Sequence, residues 1–278
     1  MAHTRQQVID RLTKEIEQNR AVVGAGAGTG ISAKFIESGG ADLVIIYNSG
    51  RFRMAGHSSM CGLLPLGDAN AIVMEMGERE VLPVVRDVPV LAGVNGTDPT
   101  RDLSVFLDQV VAAGFSGVNN FPTVGLFDGR IRQELEASGL GFDKEVEMIR
   151  LAHEKGLYTA VYVFTPDEAT AMVRAGADAV IAHMGLTVGG SIGMDAQAAF
   201  SLDDACERTQ AIGEAALREN PDVVVLCHGG PIATPQDAEY VMTRTNAVGF
   251  VGASSMERLP VEDALVNTTQ AFKAARTA

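Results

Sequence analysis

Eight short apolar, β-branched runs recur along this 278-residue chain: Ala21–Gly24, Asp42–Tyr47, Pro89–Val94, Gly117–Asn120, Tyr158–Phe164, Ala179–Ala182, Val223–Cys227 and Gly249–Gly252. Nearly every run breaks into a glycine-rich polar loop on its downstream side. The stretches between them mostly read as amphipathic helices. Strand and helix signals alternating eight times predict an α/β chain whose parallel sheet closes on itself, a (β/α)8 (TIM) barrel. A barrel of this kind takes about 250 residues, so one domain spanning 1–278 is expected. No linker, low-complexity tract or charge block divides the chain. The prediction directs the search for chemistry to the loops at the C-terminal ends of the strands, where barrel active sites sit.

Several helices can be placed from local chemistry. Residues from about Thr4 to Asn19 predict an extra N-terminal helix with Thr4 as N-cap, suited to plugging the bottom of the barrel. Further helices are expected over about Asp68–Glu80, Leu103–Ala113 and Ser201–Glu219, and two pieces before Lys155 are broken near Gly139–Gly141. Pro166 suits the first position of the fifth barrel helix. Asn48–Pro65 reads as a long loop, a lid or substrate clamp above the mouth.

Composition narrows the function classes. A formal charge of −13 repels phosphate backbones, which argues against nucleic-acid binding. The charged N-terminal stretch lacks the apolar core of a signal peptide, and no window approaches a membrane span of about 20 apolar residues. The three cysteines form no C-x-x-C pair, so reduced thiols in a cytoplasmic protein are expected. A local pocket can still attract a small anionic substrate, because nearby groups, not net charge, set its field.

The strand-end loops carry the candidate chemistry. Gly229-Gly230 and Ser254-Ser255, after the seventh and eighth strands, lie where many barrels bind phosphate through backbone N–H groups and hydroxyls. Arg51 and Arg53 offer guanidinium forks for a carboxylate or phosphate, with Asn48 and Ser49 beside them. His183 and His228 follow the sixth and seventh runs and face one mouth, as general acid and base or as metal ligands. Asp98 is the best carboxylate for a base or metal ligand, with an Asp-Pro turn as its structural alternative. Asn95, Asn119 and Asn120 supply neutral groups for substrate orientation, and Glu257 is a further candidate past the eighth strand.

Other chemistries are disfavoured. No lysine ends a strand, so a Schiff-base aldolase is unsupported, and G-x-S-x-G and H-E-x-x-H are absent. The Gly24–Gly30 loop imitates a dinucleotide fingerprint, but the spacing fails at Thr29 and Ile31.

The segments YNSGRFRMAG (47–56), GDANAIVME (67–75), NFPTVGLFDG (120–129), AHMGL (182–186), LCHGGPI (226–232) and GASSMERLPV (252–261) resemble the phosphoenolpyruvate hydrolase-like family of TIM barrels. The match runs from about Val8 to Phe272. The same segments are similar to the C-terminal barrel half of a two-domain plant protein of resistance to tomato mosaic virus. The resemblance implies relation to Mg2+-dependent barrels acting on 2-oxo acids. It therefore implies a hydrolase or lyase for a small phosphorylated or 2-oxo-acid substrate. In such an enzyme Asp98 is expected to hold Mg2+ or orient water, and a homo-oligomer is expected by analogy with other barrels. The plant relative implies the alternative, a non-catalytic barrel that binds a metabolite or a partner protein.

Overall fold

The computed structural model describes residues 2–277. Eight parallel strands form a closed barrel in sequence order: β1 (Val22–Gly26), β2 (Leu43–Ile46), β3 (Val90–Gly93), β4 (Gly117–Asn119), β5 (Tyr158–Val163), β6 (Ala179–His183), β7 (Val224–His228) and β8 (Gly249–Gly252). β8 pairs back onto β1, with Val22 opposite Gly249. Nearly every strand residue is buried, as expected for a sheet covered on both faces. The eight sequence runs thus mark the eight strands, to within one or two residues at their ends.

The helices are α1 (Arg5–Glu17), α2 (Gly30–Ser38), α3 (Asn48–Met54), α4 (Ala69–Met76), α5 (Leu103–Ala113), α6 (Gly129–Ala137), α7 (Phe142–Glu154), α8 (Pro166–Arg174), α9 (Leu202–Glu219), α10 (Pro235–Met242) and α11 (Arg258–Lys273). Side chains cap many of them. Thr4 and Gln7 close a capping box on α1, as do Ser201 and Asp204 on α9, while Thr165 caps α8 with Pro166 just inside. α1 buries Val8 and Leu12 and is fastened at its polar edge. Arg5 reaches Asp178, at 2.6 Å from Nη2, and Arg11 donates to the carbonyls of Asp87 and Ala41. These acceptors all lie just before strands, so α1 seals the N-terminal end of the barrel.

Asn48–Pro65 departs from the expected long loop: it folds as α3 followed by a 3-10 turn at Ser59–Leu63. Asn48 accounts for much of this order, since its Oδ1 accepts from the Ser49 N–H and its Nδ2 donates to the Gly62 carbonyl. Close packing supplies the rest. A Cβ on Gly28 would lie 2.1 Å from the Gly50 carbonyl oxygen, and one on Gly30 would lie 2.3 Å from that of Glu80. The glycines after β1 therefore allow backbone to touch backbone. The helix expected over Asp68–Glu80 also changes character, passing at Gly77 into a π-helical turn that runs to Val81.

Candidate functional site

β6 and β7 are paired so that His183 lies directly opposite His228. The ring centroids are 4.4 Å apart and nearly perpendicular, and both rings pack on Tyr162, at 4.8 and 5.1 Å. Backbone contacts assign each tautomer. The Gly185 N–H donates to His183 Nδ1 at 2.9 Å, so the neutral ring of His183 carries its proton on Nε2. His228 Nδ1 lies 2.5 Å from the Val251 carbonyl, which can only accept, so His228 is protonated there and keeps a lone pair on Nε2. Burial holds His183 well below its ordinary pKa, assisted by its neighbour, and pushes His228 down to about 4. Both are neutral at pH 7. The result is one hydrogen-bond donor beside one acceptor; a pair of lone pairs converging on a metal would require a different tautomer of His183.

The two rings line a small cleft at the C-terminal mouth, about 40 Å³ in volume and partly open to solvent. Ser49, Arg53 and Ser254 line it too, among apolar and aromatic groups that include Tyr47, Phe121 and Leu126. Arg53 is almost fully buried. Its Nε donates to Glu257 Oε1 at 2.8 Å and its Nη2 to the same oxygen, while Nη1 reaches only Ser59 Oγ, at 3.4 Å. Glu257 Oε2 accepts from the Gly28 N–H at 2.8 Å. One carboxylate thus ties the loops after β1 and β8 to α3, leaving an edge of Arg53 free.

The remaining predicted residues fall elsewhere. Arg51 is no clamp, because it turns outward to Glu75 and Glu80, at 2.8 and 2.6 Å. Asn48 is spent on α3. Gly229 and Gly230 adopt positive φ, +76° and +56°, and pack on the backbone of Met184 and Gly185. The Gly230 N–H donates to the Gly185 carbonyl, so these glycines make a tight turn and offer no free anion cradle there. Ser255 Oγ is buried without a partner and does not line the cleft. Asn119 donates to the Ala160 carbonyl inside the barrel, and Asn120 bonds Glu145 and both backbone polar groups of Tyr162. Asn120 is fully used in bracing β5 and α7, whereas Asn119 Oδ1 is buried without a partner; neither lines the cleft.

Asp98 and Asn95 line a separate, polar cleft beyond the 3-10 turn. Asp98 accepts from Thr100, Asn70 and Arg101, the last at 2.5 Å. Burial opposes its ionisation, but these bonds prevail and hold it at about 2. Mg2+ is usually held by one or two free carboxylates plus waters and substrate oxygens. Asp98 offers no such oxygen, and the described residues contain no cluster of three or more His, Cys, Asp or Glu side chains suited to a metal. The residues present do not fit the expected Mg2+ site.

Sequence reasoning missed Tyr47 and Tyr162, whose hydroxyls meet 3.5 Å apart in the cleft floor. Their signal was available: each is an aromatic with a polar tip at the end of a strand run. It also missed Glu145, fully buried on α7, which accepts from the Val124 N–H and Asn120 Nδ2, both at 2.7 Å. Burial pushes its carboxyl up to about 8 despite these bonds. Nothing in the helical pattern of α7 distinguishes that position.

Comparison with known proteins gives this geometry a context. A family model described as phosphoenolpyruvate hydrolase-like matches residues 7–275. The ToMV susceptible protein tm-1(GCR26) of Solanum lycopersicum is 59% identical over 96% of this chain, which spans 35% of that protein. A putative transcriptional regulatory protein, y4pA, of Sinorhizobium fredii is 35% identical over 99% of the chain and 45% of its own length. The chain thus spans between a third and half of these relatives. Among solved structures, phosphonopyruvate hydrolase in complex with oxalate and Mg++ superposes with a TM-score of 0.60 at 16% identity, covering 98% of this chain and 92% of the other. 2,3-Dimethylmalate lyase gives 0.60 at 13%, covering 96% and 87%. At such identities these two show a shared barrel fold.

Proposed function

Because the chain belongs to the phosphoenolpyruvate hydrolase-like family, we propose that its mouth cleft is the site of a hydrolase or lyase for a small phosphorylated or 2-oxo-acid substrate. The observation that carries this reading is the histidine pair, held by backbone contacts as one donor and one acceptor within a single cleft. His183 Nε2–H would donate to a carbonyl oxygen on which charge develops. His228 Nε2 would take the proton released as a bond at the substrate breaks or water attacks. Arg53 Nη1 would receive a carboxylate, with Ser254 in the same lining and the Ser49 hydroxyl already given to the Ser59 carbonyl. No step is assigned to Mg2+, since the donors around Asp98 do not suit it.

Substitution of His228 by Ala is expected to lower turnover about 10²-fold or more, the usual scale for a general acid or base. The base works only when neutral, so activity should fall as pH drops through about 4, not through the 6.5 of a free imidazole. Turnover of cleavable 2-oxo acids by wild type and variant across pH 3.5–8 tests both points. Unchanged turnover in the variant removes His228 from the chemistry. The rival reading, a barrel that binds without turnover, draws on the names of two tomato relatives, one a ToMV susceptible and one a ToMV resistance protein, and predicts ligand retention with no product.

A further inference from the structure

We propose that the cleft takes a 2-oxo monocarboxylate with a short apolar substituent, without a divalent cation, and discriminates against phosphorylated acids. The proposal rests on the reading above and narrows its substrate class. The charge balance of the cleft is the first argument. Arg53 is the only cationic residue among the described residues lining it, and Glu257 already neutralises one edge of that guanidinium. Both histidines are neutral, each with Nδ1 fixed to backbone. A single carboxylate can be met by Arg53 Nη1, whose 3.4 Å contact with Ser59 Oγ leaves an N–H free.

A phosphate or phosphonate group would bring further negative charge with nothing to receive it. Gly229 and Gly230 pack on the Met184–Gly185 backbone, with the Gly230 N–H spent, and neither they nor Ser255 line the cleft. Burying a charge without a partner is costly, and phosphate sites normally concentrate N–H donors and arginines. Among the described residues lining this cleft no carboxylate is present to hold an offsetting cation, and Asp98, both of whose oxygens are bonded, lines a different cleft.

The rest of the wall is apolar. Met60, Leu63, Phe121, Leu126 and Leu186 face the space left beside Arg53 and the histidines. A short alkyl substituent on the 2-oxo acid would bury itself there, each methylene tightening binding about fourfold.

Titration calorimetry on the intact chain in EDTA, with pyruvate, 2-oxobutyrate, phosphoenolpyruvate and phosphonopyruvate, tests this. Each titration is repeated in Mg2+, and the histidine ring resonances are followed by NMR in parallel. The expected result is that the two oxo acids bind in EDTA and shift both histidine rings, 2-oxobutyrate about fourfold tighter than pyruvate. The phosphorylated acids should bind at least about tenfold more weakly, with or without Mg2+. Tightest binding of phosphoenolpyruvate or phosphonopyruvate, dependent on Mg2+, overturns the inference and leaves the enzyme reading standing. Failure of all four acids to shift either histidine overturns both.

Discussion

At the scale of single residues, the site is organised by one buried ion pair. Glu257 and Arg53 are 204 positions apart, both almost inaccessible, and they meet because the loop after β8 closes over α3. Removing one partner of a buried pair strands the other charge, so Glu257→Ala is expected to destabilise the fold by about 3–5 kcal/mol in denaturant unfolding. A loss below about 1 kcal/mol would mean that Arg53 finds water instead. No spacing in the sequence foretells this pairing; it exists only once the barrel closes. The histidines were legible for the opposite reason, since each sits where a run of strand formers ends. Their protonation was not, because it depends on a carbonyl 23 positions away and a backbone N–H two positions on. Asp98 shows the limit from the other side. Its sequence allowed a ligand or a turn residue, and the fold surrounds its oxygens with Thr100, Asn70 and Arg101, none of which its spacing revealed.

Elements followed the pattern of hydrophobic and polar positions wherever that pattern was long or repeated. The strands, α5, α9 and the break between α6 and α7 were readable, as was the sealing role of α1. α3 was not, since a seven-residue helix with Gly50 in its first turn has little intrinsic tendency to form. It forms because Asn48 bonds the 3-10 turn and because Gly28 lets the loop after β1 lie against Gly50. Gly28→Ala would drive a Cβ to within 2.1 Å of the Gly50 oxygen. The expected outcome is a loss of about 1–3 kcal/mol, as for other overpacked positions, together with displacement of Arg53. Thermal unfolding and pyruvate affinity should therefore fall together. A variant as stable as wild type would show that α3 tolerates separation from that loop.

For the molecule as a whole, the fold was legible because a closed parallel barrel leaves a repeating signature, and that fold points the search for a site to its C-terminal face. What the sequence left open was how its two polar regions divide. The histidines and Arg53 share one cleft, while Asp98 and Asn95 line another across the 3-10 turn. The outer surface carries one further consequence. α11 buries only Arg258, and its exposed Val261 and Leu265 share one apolar groove with exposed Ile31 and Phe35 of α2. Such a contiguous apolar face is unusual on a monomer. The homo-oligomer expected by analogy with other barrels would cover it, and sedimentation equilibrium should return a mass of at least two chains. A monomer at micromolar concentration would leave that face without its expected partner.

The central claim is that His183 and His228 present a donor and an acceptor, both neutral, to one small ligand. Nitrogen NMR of the imidazole rings tests it most directly, because the two tautomers have distinct shifts. The account predicts Nε2–H on His183 and Nδ1–H on His228 at pH 7, no protonation of either as pH falls to about 5, and perturbation of both rings by pyruvate. A charged imidazole at pH 7, or the same tautomer on both residues, would contradict it.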